Sequence, residues 1–168
     1  MSSGKLRARS LRWMIPAMLG HVVITASGLG LVPAAGVSPY ATTKFGLAGL
    51  AQSLDAELRS KGVRVTALCP GVIDTDIIRA SEFSGDARAE RSEAAKFFAR
   101  RGASPERVAD DILSALRRPR SIIVSPRSHV LPAWILYRIA PGAFVRLAGA
   151  IAERISIVPI SNPGKRSG

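Results

Sequence analysis

His21-Val-Val-Ile-Thr-Ala-Ser27 and Tyr40-Ala-Thr-Thr-Lys44 are the two stretches on which the reading of this 168-residue chain turns. The first is a run of β-branched and apolar residues, as expected of a strand in a parallel sheet covered on both faces. It competes with another reading, because no residue from Trp13 to Val37 is charged, the start is basic and Pro33-Ala34-Ala35-Gly36 is made of small residues. Those features imitate a signal peptide or a membrane anchor. The run is long for a signal core, however, and Pro16, His21, Thr25, Ser27 and several glycines interrupt it. A buried strand with a Gly-rich loop after it is the preferred reading, since the residues from Ser38 to Gly71 make sense only beside a strand.

Outward from there, residues 38–60 predict a helix with Leu47, Leu50, Leu54 and Leu58 on its apolar face and Gly62 as its stop. Val63-Arg-Val-Thr-Ala-Leu-Cys69 is β-rich and ends at Pro70-Gly71, which predicts a second strand and an α/β layer fold. Residues 74–102 are charged and weakly periodic, and read as short helices in a long connection. Ser104-Pro105-Glu106 is a helix start, with Val108, Ile112, Leu113 and Leu116 as the apolar face behind it, and Ile122-Ile-Val124 is a third strand. From Val130 to Ile157 the chain is apolar and basic, broken by Pro132, Pro141 and Gly142. Arg138, Arg146, Glu153 and Arg154 are too costly for a bilayer centre. That leaves a helix lying on a membrane or closing a lipid-binding pocket, or one packed on its own domain. The expected organisation is a basic flexible leader at 1–12, a partial α/β domain at 13–128, an apolar, basic helical segment at 129–158 and a flexible tail at 159–168.

Composition narrows the function. Twenty-four basic against 12 acidic side chains give a net charge of +12, which attracts nucleic acid, anionic lipid or a phosphorylated cofactor alike. Aromatic residues are only 5% of the chain, so the stacking platforms of single-strand binders are missing and specific nucleic-acid binding is not expected. One cysteine, Cys69, excludes an internal disulfide framework and a cysteine metal cluster, and reads as a buried small residue in a reducing, cytoplasmic compartment. The two histidines, His21 and His129, have no acidic partner at a telling spacing, which rejects a hydrolase triad and a metal site.

Tyr40 and Lys44 stand four residues apart near a helix start and therefore share a face. A free phenol ionises near pH 10, and a neighbouring ammonium favours its charged form. Ser27, at the end of the predicted strand, falls at the carboxyl edge of the sheet, where open α/β sheets bind ligands. The pair alone is a weak signal. The ordered set of Ser27 strand, Gly-rich loop, Tyr40-x-x-x-Lys44, apolar helix, Gly62, second strand, Pro70-Gly71 and Val-Ile-Asp-Thr-Asp76 is specific.

On these residues the chain, from about Gly20 to Pro126, resembles the short-chain dehydrogenase/reductase family. The resemblance implies a partial Rossmann-like, doubly wound parallel sheet containing the C-terminal strands and helices only. It implies hydride transfer between NAD or NADP and an alcohol or carbonyl, with Ser27, Tyr40 and Lys44 catalytic. Tyr40 and Lys44 would also bind the cofactor, together with Pro70, Gly71, Ile73 through its backbone and Thr75 through its hydroxyl. A full family member begins with a Gly-x-x-x-Gly-x-Gly turn for the pyrophosphate, and these 168 residues contain no such pattern. The expectation is therefore that the N-terminal cofactor-binding half is absent and that the chain is weak or inactive alone. The alternatives are a non-catalytic remnant pairing with a full-length relative, as homo- or hetero-oligomer, and a basic protein at a membrane surface. The apolar tail suggests a small apolar alcohol or carbonyl substrate.

Overall fold

The structure, a computed structural model, describes residues 13–74 and 100–155. The leader at 1–12, the connection from 75 to 99 (with Thr75) and the tail at 159–168 lie outside the described residues. Three parallel strands in the order β1 (Gly20–Thr25), β2 (Val63–Pro70) and β3 (Ile122–Ser125) form the sheet. Helix α1 (Ser38–Leu58) connects β1 to β2, α2 (Pro105–Arg117) leads into β3, and α3 (Arg127–Ile139) and α4 (Pro141–Ile155) come after it. This is the expected α/β class, and each predicted strand is found within a residue of its expected ends.

The period of two along each strand divides the core between two faces. Ile24, Val63, Val65, Ala67, Cys69 and Val124 pack with Ala48 and Ala51 of α1 and Val130 of α3. Val23, Leu68 and Ile123 turn the other way, onto Val108, Ile112 and Ala115 of α2. Central β2 is covered on both sides, and Val63, Val65, Ala67 and Cys69 are fully buried. The run from Trp13 is thus not one long helix: residues 13–17 form a helical turn, and the residues after Leu19 are strand. Among the described residues no helix is long and apolar enough to cross a membrane.

Both helix faces differ in part from expectation. In α1 the buried positions are Ala41, Ala48, Ala51, Asp55 and Leu58, while Leu50 is exposed. Alanines replace leucines at the contact because a small side chain lets the helix axis come close to the sheet. In α2, Ala115 is buried and both Leu113 and Leu116 face outward. Pro132, expected to break the chain, lies inside α3, where it forfeits a single backbone bond in the second turn. Pro141 does mark a break, as expected; α4 begins there and is held to α3 through the edge-to-face pair Tyr137 and Phe144. Gly62 ends the α1 region at φ 72°, and a Cβ there would collide with the Met18 carbonyl.

One buried carboxylate joins three parts of the chain. Asp55, on α1, accepts hydrogen bonds from Arg64 Nε (2.9 Å) and the Val65 amide (3.0 Å) of β2, from the Ser121 hydroxyl before β3 (2.7 Å), and from Arg59. Burial opposes its ionisation, but these donors outweigh that cost and hold the carboxyl well below the usual range. Beside it the Thr66 hydroxyl donates to the Arg120 carbonyl (2.5 Å), so it must accept from His21 Nε2 (2.7 Å), which fixes the proton on that nitrogen. Burial, reinforced by Arg64, pushes His21 below its ordinary value and keeps the ring neutral.

Because the Asp55 carboxyl is depressed, its contribution is present above the ordinary carboxylate pKa near 4 and fades as pH falls. Asp55→Asn is therefore expected to cost about 3 kcal/mol at pH 7. Urea unfolding should show the gap to the parent narrowing below about pH 4; a gap that stays constant to low pH would contradict this account.

Candidate active site

The carboxyl ends of the three strands meet at one edge of the sheet. Ser27 comes just after β1, Pro70-Gly71 ends β2, and Ser125 ends β3. They are tied together by Ala26 N–H to Leu68 O (2.7 Å) and Gly71 N–H to Ser125 O (2.8 Å). Ser27 caps a short 3-10 turn, Gly28–Gly30, and its Oγ accepts from the Leu29 amide at 3.2 Å. Its hydroxyl hydrogen has no acceptor among the described residues and can be donated to a ligand oxygen.

The glycines of that turn set the distance to α1. A Cβ at Gly30 would stand 2.6 Å from the Lys44 carbonyl, and one at Gly28 would stand 2.7 Å from Val130 of α3. Gly71 is equally tight against His129 and Val130. The turn beginning at Ser27 is therefore pressed directly onto the helix that carries Tyr40 and Lys44, and α3 closes over both strand ends. Without side chains at these positions the three elements can meet; with them they cannot.

Tyr40 is 48% exposed and lies in the first turn of α1, and the Lys44 ammonium sits over its ring, 5.5 Å from the centroid. The expected pairing of phenol and ammonium on one face is thus present, as a cation–π contact with the ring. Ile73 forms an isolated parallel bridge with Ala103, made by Ala103 N–H to Val72 O and Asp74 N–H to Ala103 O, both 2.9 Å. That pattern uses the groups on either side of Ile73 and leaves its own N–H and C=O turned away from Ala103. Thr75 lies outside the described residues. Cys69 is buried, and burial pushes its thiol up to about 11, opposed only by the Ser27 amide. It is a packing residue, as read from the sequence. No cluster of metal-ligating side chains occurs among the described residues.

The sequence reading missed an apolar cleft of about 440 Å³ beside this site, lined by Pro33, Ala34, Ala41, Phe45 and Tyr137 among others. Ser38, Ala41, Thr42 and Phe45 recur at steps of three and four, so a cleft-lining face next to that of Tyr40 and Lys44 was legible. Its other wall, Tyr137, comes from the C-terminal segment for which a pocket-closing role was one reading, though no spacing marked Tyr137 itself.

The fold has counterparts among known proteins. Residues 5–84 match the family model described as short chain dehydrogenase. A probable oxidoreductase, EphD, of Mycobacterium tuberculosis is 35% identical over 119 residues, which covers 67% of this chain and 20% of that protein. Human retinol dehydrogenase 10 is 42% identical over 72 residues, covering 39% of this chain and 21% of that protein. Among solved structures, a short chain dehydrogenase/reductase from Burkholderia phymatum in complex with NAD superposes with TM-score 0.64 at 22% identity, covering 78% of this chain and 53% of that one. A short-chain dehydrogenase from Sphingobium yanoikuyae in complex with NADPH gives 0.61 at 21% identity, covering 98% and 56%. The chain spans a fifth of the length of EphD and just over half of these solved chains. The family match begins at residue 5, inside the stretch read as a leader. This overturns the expectation that the N-terminal cofactor-binding half is absent and that the likeness starts near Gly20: the N-terminal region is part of the match.

The close approach of the Ser27 turn to α1 predicts opposite outcomes at two glycines. Gly30→Ala should lose about 2 kcal/mol through overpacking. Gly46→Ala, on α1 with nothing within 4 Å of an added Cβ, should gain up to about 1 kcal/mol; equal effects in chemical denaturation would refute the tight contact. A strand-end serine, a Tyr-Lys helix pressed against it by glycine and a parallel sheet stand beside the match over residues 5–84: that part of the chain is similar to the short chain dehydrogenase family.

Proposed function

We propose that this chain serves hydride transfer between NAD or NADP and an apolar alcohol or carbonyl compound, with Ser27, Tyr40 and Lys44 as its reacting set. The observation that carries this reading is the Lys44 ammonium over the Tyr40 ring on a helix docked, through Gly30, against the Ser27 turn. The residues fit a nicotinamide nucleotide: Lys44 can hold ribose hydroxyls, and the outward peptide groups of Ile73 match a carboxamide's donor and acceptor. The nicotinamide, when bound, supplies or accepts the hydride.

The chain's own residues do the rest. The Ser27 hydroxyl donates a hydrogen bond to the substrate oxygen and holds it at the carboxyl edge of the sheet. The Tyr40 hydroxyl passes its proton to that oxygen in reduction and takes it back in oxidation. Lys44 lies on the same helix face, its ammonium over the Tyr40 ring. Polarising the carbonyl from both hydroxyls stabilises the charge that develops on oxygen. The apolar cleft along α1, closed by Tyr137, favours an apolar substrate body over a polar one.

Tyr40→Phe keeps the ring and its cation contact but removes the transferable proton. Carbonyl-dependent NAD(P)H oxidation is expected to fall by about 10²–10⁴-fold with an unchanged melting temperature. A Tyr40→Phe variant as active as the parent would sink the assignment. A parent chain that oxidises no NAD(P)H with any carbonyl, yet keeps a partner in both forms, would favour a pairing role.

A further inference from the structure

We propose that the outward face of the α3–α4 pair is a docking surface for an anionic phospholipid membrane. Both helices show apolar side chains to the domain and to solvent. On its inner side α3 places buried Val130 and half-buried Trp134 against the core, and Tyr137 against Phe144 of α4. On its outer side Pro132, Ile135, Leu136 and Ile139 are all exposed, Ile139 by 78%. Their spacing of i, i+3, i+4 and i+7 makes one continuous apolar stripe along the helix. In α4, Phe144, Ala148 and Ala152 recur every four residues and are half-buried, whereas Leu147 and Ile151, one turn apart, are exposed. A helix that is apolar on two sides needs two apolar partners, and the sheet is only one of them.

The charge of this surface has one sign. From Arg127 to Ala152 the chain contains no aspartate or glutamate, and it contains three arginines. Arg138 flanks the α3 stripe between Ile135 and Ile139, and Arg146 precedes Leu147; both arginines are exposed. An arginine can lay its stem along apolar surface while its guanidinium reaches a neighbouring phosphate. None of Ser27, Tyr40 or Lys44 stands on these helices, so the surface is independent of the reaction assigned to them.

Two features therefore select the occupant. Apolar side chains flanked by guanidinium groups match the boundary between acyl chains and anionic headgroups. At 13 and 15 residues the two helices are too short to cross a bilayer, which leaves them lying on it. Nucleic acid would satisfy the arginines but leave the stripe in water. A second α3–α4 face would cover the stripe but set arginine beside arginine, with no carboxylate between 127 and 152 to separate them.

The test is cosedimentation of the full 168-residue chain with vesicles of equal parts phosphatidylcholine and phosphatidylserine. Saturable binding is expected, at least roughly tenfold weaker on phosphatidylcholine alone. Ile135→Gln with Ile139→Gln removes apolar surface at constant charge and should weaken binding by at least about tenfold. Arg138→Glu with Arg146→Glu should weaken it by at least about the same factor. Lys61→Glu with Arg117→Glu, the same charge change at exposed positions off these helices, should leave binding within about threefold. Circular dichroism melts confirm that each variant folds. The proposal is overturned by no saturable binding, by equal binding to phosphatidylcholine alone, or by the Lys61/Arg117 pair weakening binding as much as the Arg138/Arg146 pair. It is also overturned if the Ile135/Ile139 changes leave vesicle binding intact, if oligothymidylate displaces the bound chain, or if sedimentation velocity shows a dimer that those isoleucine changes dissolve.

Discussion

The Asp55 carboxylate is the constraint on which the arrangement depends. It is buried on α1, yet every donor that keeps it ionised is elsewhere: Arg64 and Val65 on β2, Ser121 at the approach to β3, and Arg59 one turn on. A charge that is costly to bury becomes favourable only when all of these meet it at once. The carboxylate therefore fixes where the C-terminal end of α1 sits on the sheet. The opposite end of the same rigid helix carries Tyr40 and Lys44, so the knot at one end positions the chemistry at the other. Gly30 supplies the second point of attachment, by letting the Ser27 turn touch the Lys44 carbonyl.

Much of this was legible in the sequence for reasons that can be named. The β-branched run after His21, the stop at Gly62 and the Pro70-Gly71 break are local signals, and each lies where the structure has the matching element. The Ser104 cap is likewise local, its Oγ accepting from the Arg107 amide at 3.4 Å. The spacing of Tyr40 and Lys44 was enough to put them on one face. What escaped was decided by tertiary contact. Leucine spacing suggested Leu50 as a core residue, but a close helix-to-sheet approach selects Ala48 and Ala51 instead. Asp55 reads in the sequence as one more surface charge, since its partners lie up to 66 residues away.

The charge of the chain was also only half legible. A net charge of +12 says that an anion is attracted but not where. Folding sorts the arginines: Arg59 and Arg64 are consumed by Asp55, whereas Arg118, Arg120 and Arg127 line a cavity beside β3. The same residue type thus serves as structural counter-ion in one place and as unspent charge in another.

The parallel order of the sheet carries a kinetic consequence. Every β1 residue is paired in register with a β2 partner that lies beyond the whole of α1, and β2 meets β3 only across the long segment that ends with α2. Among the described residues no hairpin can form first and template the rest, so loop-closure entropy is lost before any contact between these strands repays it. The most accessible early structure is α1 itself, whose contacts are local. The chain should then fold late and in one concerted step around β2, and the apolar strands remain exposed for as long as that step takes.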